Sequence, residues 1–394
     1  MINDLIKHKK IQIFFQPIVS IKDKKIFAME ALSRANNDNG EPISPLELFK
    51  LAKKEKLVCK LDEYVRGEAI KKFYDYYQED NDLLLFLNFE SSIIDNDMSN
   101  GFTDVVKNYN IPLKNIVIEI KEDKIKDTDR LERFVKEYKK DGFIIAMDDF
   151  GTGYSSFDRL ALIRPNIVKI DKSIINGINN NFINSEILTS IANMCNNIGA
   201  LVLSEGVEVK DDILNCMKKD IDIFQGFWFC RPQSELDKVS KANILERIDD
   251  IGKDYKASVN SYIMMKQSLL NNAHSLIKKI ITILTKCSVD CLKEIQEIIA
   301  VDNTLEAIYL LDENTGVQVG KTVINKEGNT LYTPSKDGHD HSLKEYYFIA
   351  KESVRGDYLS SKYISKASGN MCRTYSVKIV LNNLKYIVCC DILN

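Results

Sequence analysis

The chain has 394 residues, of which 44% are hydrophobic and 28% charged, and its formal net charge is −3. Such a chain is globular, long enough for two or three domains, and lacks the strong basic field of a duplex nucleic-acid binder. No apolar run reaches the ~20 residues that span a bilayer, and the opening MINDLIKHKK has no secretion-signal core, so a cytoplasmic protein with reduced, partly buried cysteines is expected.

Over the first 240 residues, short apolar runs alternate with longer amphipathic stretches. Strands are predicted at 12–19, 25–32, 83–89, 116–120, 143–147, 167–170, 200–203 and 223–229, with helices such as 45–55, 60–77, 131–140 and 185–197 between most of them. Several runs are apolar nearly throughout, as strands covered on both faces are. Eight strands with intervening helices predict an α/β fold, a (β/α)8 TIM-like barrel. Only five residues separate the first two strands. A parallel crossover needs about a dozen, so these two should form an antiparallel hairpin.

After Pro232 the pattern changes. Residues 235–300 contain no proline and almost no strand signal. The stretch 262–284 reads as a helix in which Leu269, Leu276, Ile280 and Leu284 form part of a buried stripe. A packed connector is the simpler reading, and a dimer-forming coiled coil its rival, although the heptads are not clean. Beyond 301, strands at 307–311, 374–380 and 386–391 and turns at 312–316 and 381–383 predict a small α+β domain. The expected organisation is a barrel (1–240), a helical connector (241–300) and a C-terminal domain (301–394).

Polar residues fall at the strand ends: Glu30, Asn88, Glu119, Asp148 with Asp149, Lys169 with Asp171, Glu205 with Glu208, and Gln225. In a barrel these ends open onto one face, where active sites lie. One such acid alone is as often a cap or turn former. So many acids and amides on one face would repel unless a cation or lysine compensated them. With only His8, His274, His339 and His341 available, and neither Cys287/Cys291 nor Cys389/Cys390 showing four-ligand zinc spacing, metal ligands should be mainly oxygen, which suits Mg2+ or Mn2+. The pair His339/His341 reads as part of an exposed polar loop.

The stretch AMDDFGTGYSSF at 146–157 admits three readings: a metal site, a phosphate cradle, or a loop that ends a strand. The cradle fails, because no GK[ST] follows and Ser156 stands where GxGxxG needs its third glycine. In the metal reading, Glu30, Asn88, Glu119 and Asp148 hold one ion. Asp149, next to a shared Asp148, holds a second, and two ions about 3.5–4 Å apart can bind a phosphodiester and activate water. Lys169 would hold that water or a phosphate oxygen, Glu205 would be the general base or a water-mediated ligand, and Arg34 would grip a phosphate.

These motifs resemble the EAL-domain cyclic-di-GMP phosphodiesterases. The naming motif stands as Glu30-Ala31-Leu32, followed by Ser33-Arg34; DDFGTGYSS runs from Asp148 to Ser156; KID is Lys169 to Asp171, EGVE is Glu205 to Glu208, and QGF is Gln225 to Phe227 with Arg231-Pro232 beyond. The match covers roughly residues 10–235. The resemblance implies a barrel with one antiparallel strand, cyclic di-GMP as substrate, and metal-dependent hydrolysis of one phosphodiester bond to linear pGpG. It also implies metal ligation by Glu30, Asn88, Glu119, Asp148 and Asp149, water handling by Lys169 and Glu205, and a loop anchor at Glu122. Gln16, Arg34, Asp171, Glu208 and Gln225 match substrate-binding and supporting positions, and a homodimer is implied.

Lys121 departs from the family, which has a small hydroxyl residue there, and Phe89-Glu90 replaces a serine-containing segment. No ligand is lost, but loop control and rate are put in question. The alternative is a receptor that binds cyclic di-GMP without cleaving it and signals through a partner; the complete ligand set argues against it. No GGDEF-type signature points to a synthase. The C-terminal block is similar to PAS/Cache-like sensory domains, which implies a small ligand, with Asp340, Lys344, Tyr346, Tyr347, Tyr363 and Asp391 as pocket candidates.

Overall fold

The structure, a computed structural model, describes residues 1–37, 39–95, 101–121, 127–151, 156–287, 305–325 and 333–393. Glu122, Gly153 and Cys291 lie outside the described residues, as do the side chains of Leu269 and Leu284. The chain divides into two compact units, Met1–Val259 and Asn260–Asn394.

The first unit is a closed barrel. β1 (Ile11–Ser20) and β2 (Lys25–Asn36) pair antiparallel, from Ile11 opposite Ala35 to Ser20 opposite Lys25, as the short connection requires. A short β3 (Pro42–Ile43) hooks onto the far end of β2. A parallel ladder continues from β2 through β4 (Leu84–Asn88), β5 (Ile116–Lys121), β6 (Ile144–Phe150), β7 (Ile167–Ile170), β8 (Leu201–Ser204) and β9 (Ile223–Phe224). β9 pairs back to β1 at Val19–Phe224 and Ser20–Ile223, which closes eight strands and leaves β3 as an extra one.

The eighth strand stops at Phe224, not at residue 229. The backbone turns there around Val207, whose amide meets the Gln225 carbonyl at 3.1 Å and whose carbonyl accepts from the Trp228 amide at 3.1 Å. Gly226 fits against it only because it lacks a side chain: a Cβ would lie 2.1 Å from the Val207 carbonyl oxygen.

Inside the barrel, Ile18, Ala28, Phe86, Val117, Ala146, Ile167, Leu203 and Ile223 form one apolar layer. Strand side chains alternate between faces, so the residue two positions on points the same way. Two positions from each member stand Gln16, Glu30, Asn88, Glu119, Asp148, Lys169, Glu205 and Gln225. The antiparallel β1 runs backwards, and so contributes Gln16 before Ile18. A polar ring of eight thus sits on an apolar plug, at the carboxyl ends of the parallel strands.

The second unit is an antiparallel sheet of β10 (Leu305–Asp312), β11 (Gln318–Ile324), β12 (Asp357–Leu359), β13 (Tyr363–Ile364), β14 (Met371–Leu381) and β15 (Leu384–Leu393), in the order β11-β10-β15-β14-β12 with β13 on β14. Asn382 and Asn383 both adopt positive φ, as the two-residue β14–β15 hairpin demands. The helix Lys238–Cys287 passes through the division between the units. Its Leu276, Ile277 and Ile280 pack on one face of the sheet, while Tyr346, Tyr347 and Ala350 of the helix Glu345–Glu352 pack on the other. Cys389 and Cys390 are buried, free, and divided between these two faces, so they do not converge on one ligand. Among the described residues, no helix is long and apolar enough to cross a membrane.

Candidate active site

Lys169 is the centre of the polar ring. It is 1% exposed, and its Nζ contacts Glu119 Oε1 and lies 2.5 Å from Glu205 Oε1, 3.3 Å from Asp148 Oδ1 and 3.6 Å from Glu30 Oε2. Glu30 is held from both sides. Asn88 donates to its Oε1 at 2.9 Å, and Gln225 donates to its Oε2 at 2.6 Å. Gln225 also reaches Gln16 Oε1 at 3.4 Å, and Gln16 donates to the Cys230 carbonyl at 3.2 Å.

Two adjacent acids on one strand should point to opposite faces. A bulge changes that: β6 pairs with β7 at Met147–Val168 and resumes at Phe150–Ile170, so Asp148 and Asp149 together oppose Lys169. Asp149 takes a φ of +59°, a left-handed conformation that aspartate tolerates better than most residues. Both carboxylates then reach Lys121, whose Nζ lies 2.7 Å from Asp149 Oδ2 and 3.5 Å from Asp148 Oδ2.

Burial works against the Lys169 ammonium, but Asp148, Glu119, Glu205 and Glu30 outweigh it and hold its proton well above the ordinary lysine range. Burial, and then Glu30, push Glu119 well up. Burial also raises Glu205, while Lys169 and Lys121 overcome burial at Asp148 and lower it.

The donor set suits a hard divalent cation. One carboxylate oxygen from each of Glu119, Asp148 and Glu205 lies within 4.8 Å of the others. Both Glu119 oxygens, Asp148 Oδ1 and Glu205 Oε1 are buried without a hydrogen-bond partner, and the Lys169 ammonium lies near Glu119 Oε1, Asp148 Oδ1 and Glu205 Oε1. Buried carboxylate oxygens left so are expensive, and an oxygen-ligated ion would satisfy them.

A cavity of 490 Å³ opens over this cluster, lined by Glu30, Asn88, Asp148, Asp149, Lys169 and Glu205 among others. The remaining expected residues lie off it. Arg34 donates to the Ser33 carbonyl at 2.8 Å and lies over the Phe14 ring. Asp171 caps the short helix Lys172–Ile175, accepting from the Ser173 amide. Glu208 is exposed.

Sequence reasoning missed one wall of this cavity. Asp62 and Arg66, one turn apart on the helix Val58–Glu79, form a buried ion pair at 2.5 Å. The Arg66 guanidinium lies 4.2 Å from the Phe89 ring centroid and 4.7 Å from that of Phe102. Burial lifts Asp62 to about 6 despite Arg66. The available signal was an Asp and an Arg four apart on the buried stripe of an amphipathic helix.

The second unit has its own cavity of 270 Å³, lined by Lys344, Tyr346, Tyr363 and Asp391 but not by Asp340 or Tyr347. Asp391 is 2% exposed and accepts hydroxyls from Thr374, Ser365, Tyr363 and Tyr309 at 2.8–3.3 Å. His341 corrects the expectation of an exposed loop: it is buried, with one ring nitrogen 2.8 Å from the Tyr346 hydroxyl and the other 3.0 Å from Gln318 Oε1. Burial pushes its pKa down to about 4.

The EAL domain model matches residues 1–232. The chain belongs to the EAL-domain family. It is 24% identical over 392 residues to the EAL-domain protein YkuI of Bacillus subtilis, covering 92% of this chain and 90% of YkuI. It is 26% identical over 227 residues to the probable cyclic di-GMP phosphodiesterase PdeD of Escherichia coli, covering 56% of this chain and 41% of PdeD. The crystal structure of YkuI in complex with substrate c-di-GMP and calcium superimposes with a TM-score of 0.79 at 23% identity, over 100% of this chain and 99% of that one. At that identity the likeness bears on the fold.

Proposed function

We propose that this EAL domain hydrolyses one phosphodiester bond of cyclic di-GMP to give linear pGpG, with Mg2+ or Mn2+ as cofactor. The observation that carries the reading is the cluster of buried, donor-poor carboxylates around Lys169 beneath an open cavity. Glu30, Asn88, Glu119 and Asp148 would hold the ion, with Asp149 beside them. The ion, when bound, polarises the phosphoryl oxygens and lowers the pKa of its water. Lys169, charged in its ring of acids, orients that water or a phosphate oxygen. Glu205 stands 2.5 Å from Lys169 and takes the water's proton once the charge around it is compensated. Gln225 holds Glu30 in place and Gln16 accepts from Gln225, while Arg34, Asp171 and Glu208 flank the nucleotide more distantly.

Incubation with cyclic di-GMP and either metal, followed by chromatography, tests the reading. Linear product is expected; tight binding with no product under either metal would sink it. Glu205→Gln should still bind, with turnover reduced by about 10²–10⁴-fold. The second reading, a receptor that binds without cleaving, is favoured by one observation: Lys121 contacts both adjacent aspartates.

We further propose a cytoplasmic homodimer in which the barrel (1–240) is tuned through the helical segment (241–300) by a small ligand in the Tyr346/Tyr363/Asp391 cavity of a sensory C-terminal domain (301–394). Light scattering tests the dimer, and a monomer at micromolar concentration would count against it. A screen of small metabolites by thermal shift tests the cavity; Tyr363→Ala should abolish any hit that binds there.

A further inference from the structure

Asp148 lies between two ammonium groups. Its Oδ1 faces Lys169 at 3.3 Å, and its Oδ2 faces Lys121 at 3.5 Å. Lys121 is two residues beyond Glu119 on β5, so it points to the same side, one layer nearer the mouth, with its backbone in register with Asp148. From there its Nζ bonds Asp149 Oδ2 at 2.7 Å. The outward oxygens of the two adjacent aspartates, which would have to hold a second ion, therefore already face a cation.

The charges of the two layers differ accordingly. The inner layer gathers Glu30, Glu119, Asp148 and Glu205 around Lys169, and Lys121 reaches only the outward oxygen of Asp148. Four carboxylates around one central ammonium leave demand for a divalent ion. The outer layer adds one carboxylate, Asp149, and one ammonium, Lys121. Among the described residues, these two charges offset each other. A second divalent ion there would have to displace an ammonium tethered to the barrel strand, and would meet its full repulsion if the ammonium stayed.

We infer that Lys121 takes the place of a second divalent ion, so that the site binds a single metal ion at the inner ligands Glu30, Asn88, Glu119 and Asp148, with the lysine ammonium at the outer position beside Asp149. The inference rests on reading the carboxylate cluster as a metal site, but it does not require turnover. It also gives Lys121 a role in setting rate, because only one of the two reacting oxygens of the phosphodiester would then be held by a metal.

The test is a count of bound ions in the full chain, by equilibrium dialysis against Mn2+ with free metal read by its electron paramagnetic resonance signal, with and without cyclic di-GMP. One ion per chain is expected for the unaltered protein and for Lys121→Arg, which keeps the charge. Two are expected for Lys121→Thr and for Lys121→Met, the latter keeping the stem without the charge and serving if the threonine variant does not fold. Two ions in the unaltered protein overturn the inference while leaving the metal site standing, as does one ion in a folded Lys121→Met. No bound Mn2+ in any variant overturns both. Hydrolysis measured on the same samples separates the fate of the phosphodiesterase reading from the ion count.

Discussion

Lys169→Met removes the ammonium that faces four carboxylates while keeping most of its packing volume. In the folded chain Lys169 contacts Glu119 and lies 2.5 Å from Glu205 and 3.3 Å from Asp148, all buried or nearly so. Removing one partner of a buried ion pair costs ~3–5 kcal/mol. At ~2–4 °C per kcal/mol for a unit of this size, the barrel transition should fall by about 6–20 °C in EDTA. Acid should narrow the gap, because protonated carboxyls need no cation. Mn2+ should narrow it too: a ligand at a hundred times its dissociation constant returns ~2.7 kcal/mol to a folded state that alone binds it. The assay is a melt of both proteins by circular dichroism, with EDTA, with Mn2+, and at two pH values. Equal melting in EDTA would show that the carboxylates do not depend on this lysine. A deficit that neither Mn2+ nor acid reduces would assign the loss to packing and refute the electrostatic account.

Asp62 gives a pH prediction of opposite cause. Its folded value, about 6, stands above its ordinary 3.8. Between those values the folded chain binds a proton that the unfolded chain has released, so stability falls as pH rises through this window. The full shift corresponds to about 3 kcal/mol, of which about 2 kcal/mol falls between pH 4 and 7, and Asp62→Asn should be spared that loss in denaturant melts without divalent ions; identical slopes would remove Asp62 from the account. Gly226→Ala forces a Cβ to within 2.1 Å of the Val207 carbonyl, against backbone that cannot swing aside. A loss of ~1–3 kcal/mol in denaturant is expected, with weaker substrate binding because Gln225 shifts off Glu30. Unchanged stability would show that this turn opens easily.

The barrel and its ring were legible because both follow from period-two alternation. Once Val117 is placed inside, Glu119 must point inward, and the same holds from Ala146 to Asp148 and from Ile167 to Lys169. The antiparallel start was legible from five connecting residues. What alternation cannot show is a break in alternation. The bulge at Asp148 and Asp149, with Asp149 left-handed, sets both acids toward the mouth against the strand's own period. The turn at Gly226 ends the strand although the sequence stays largely apolar to Phe229. In the C-terminal unit, β11 was missed because Gly320 and Lys321 interrupt its apolar pattern. His341 was misplaced because its burial depends on Tyr346 and Gln318, the latter on another element.

The ring also sets the proposed catalysis against stability. An apolar layer closes the barrel beneath it, so water cannot relieve the carboxylates from below, and Lys169 offsets most of the inner layer, with Lys121 reaching Asp148 from the outer side. A structure selected only for stability would have fewer acids or more cations at this level. The outer layer resolves the conflict differently, by pairing Asp149 with Lys121. That pair satisfies the acid permanently, and a permanently satisfied acid has less need of metal. Inner carboxylates in excess and an outer carboxylate already matched are thus two levels of one charge gradient along the barrel axis. On the proposed reading, that gradient would favour a divalent ion at the inner carboxylates Glu30, Glu119 and Asp148 over one beside Asp149.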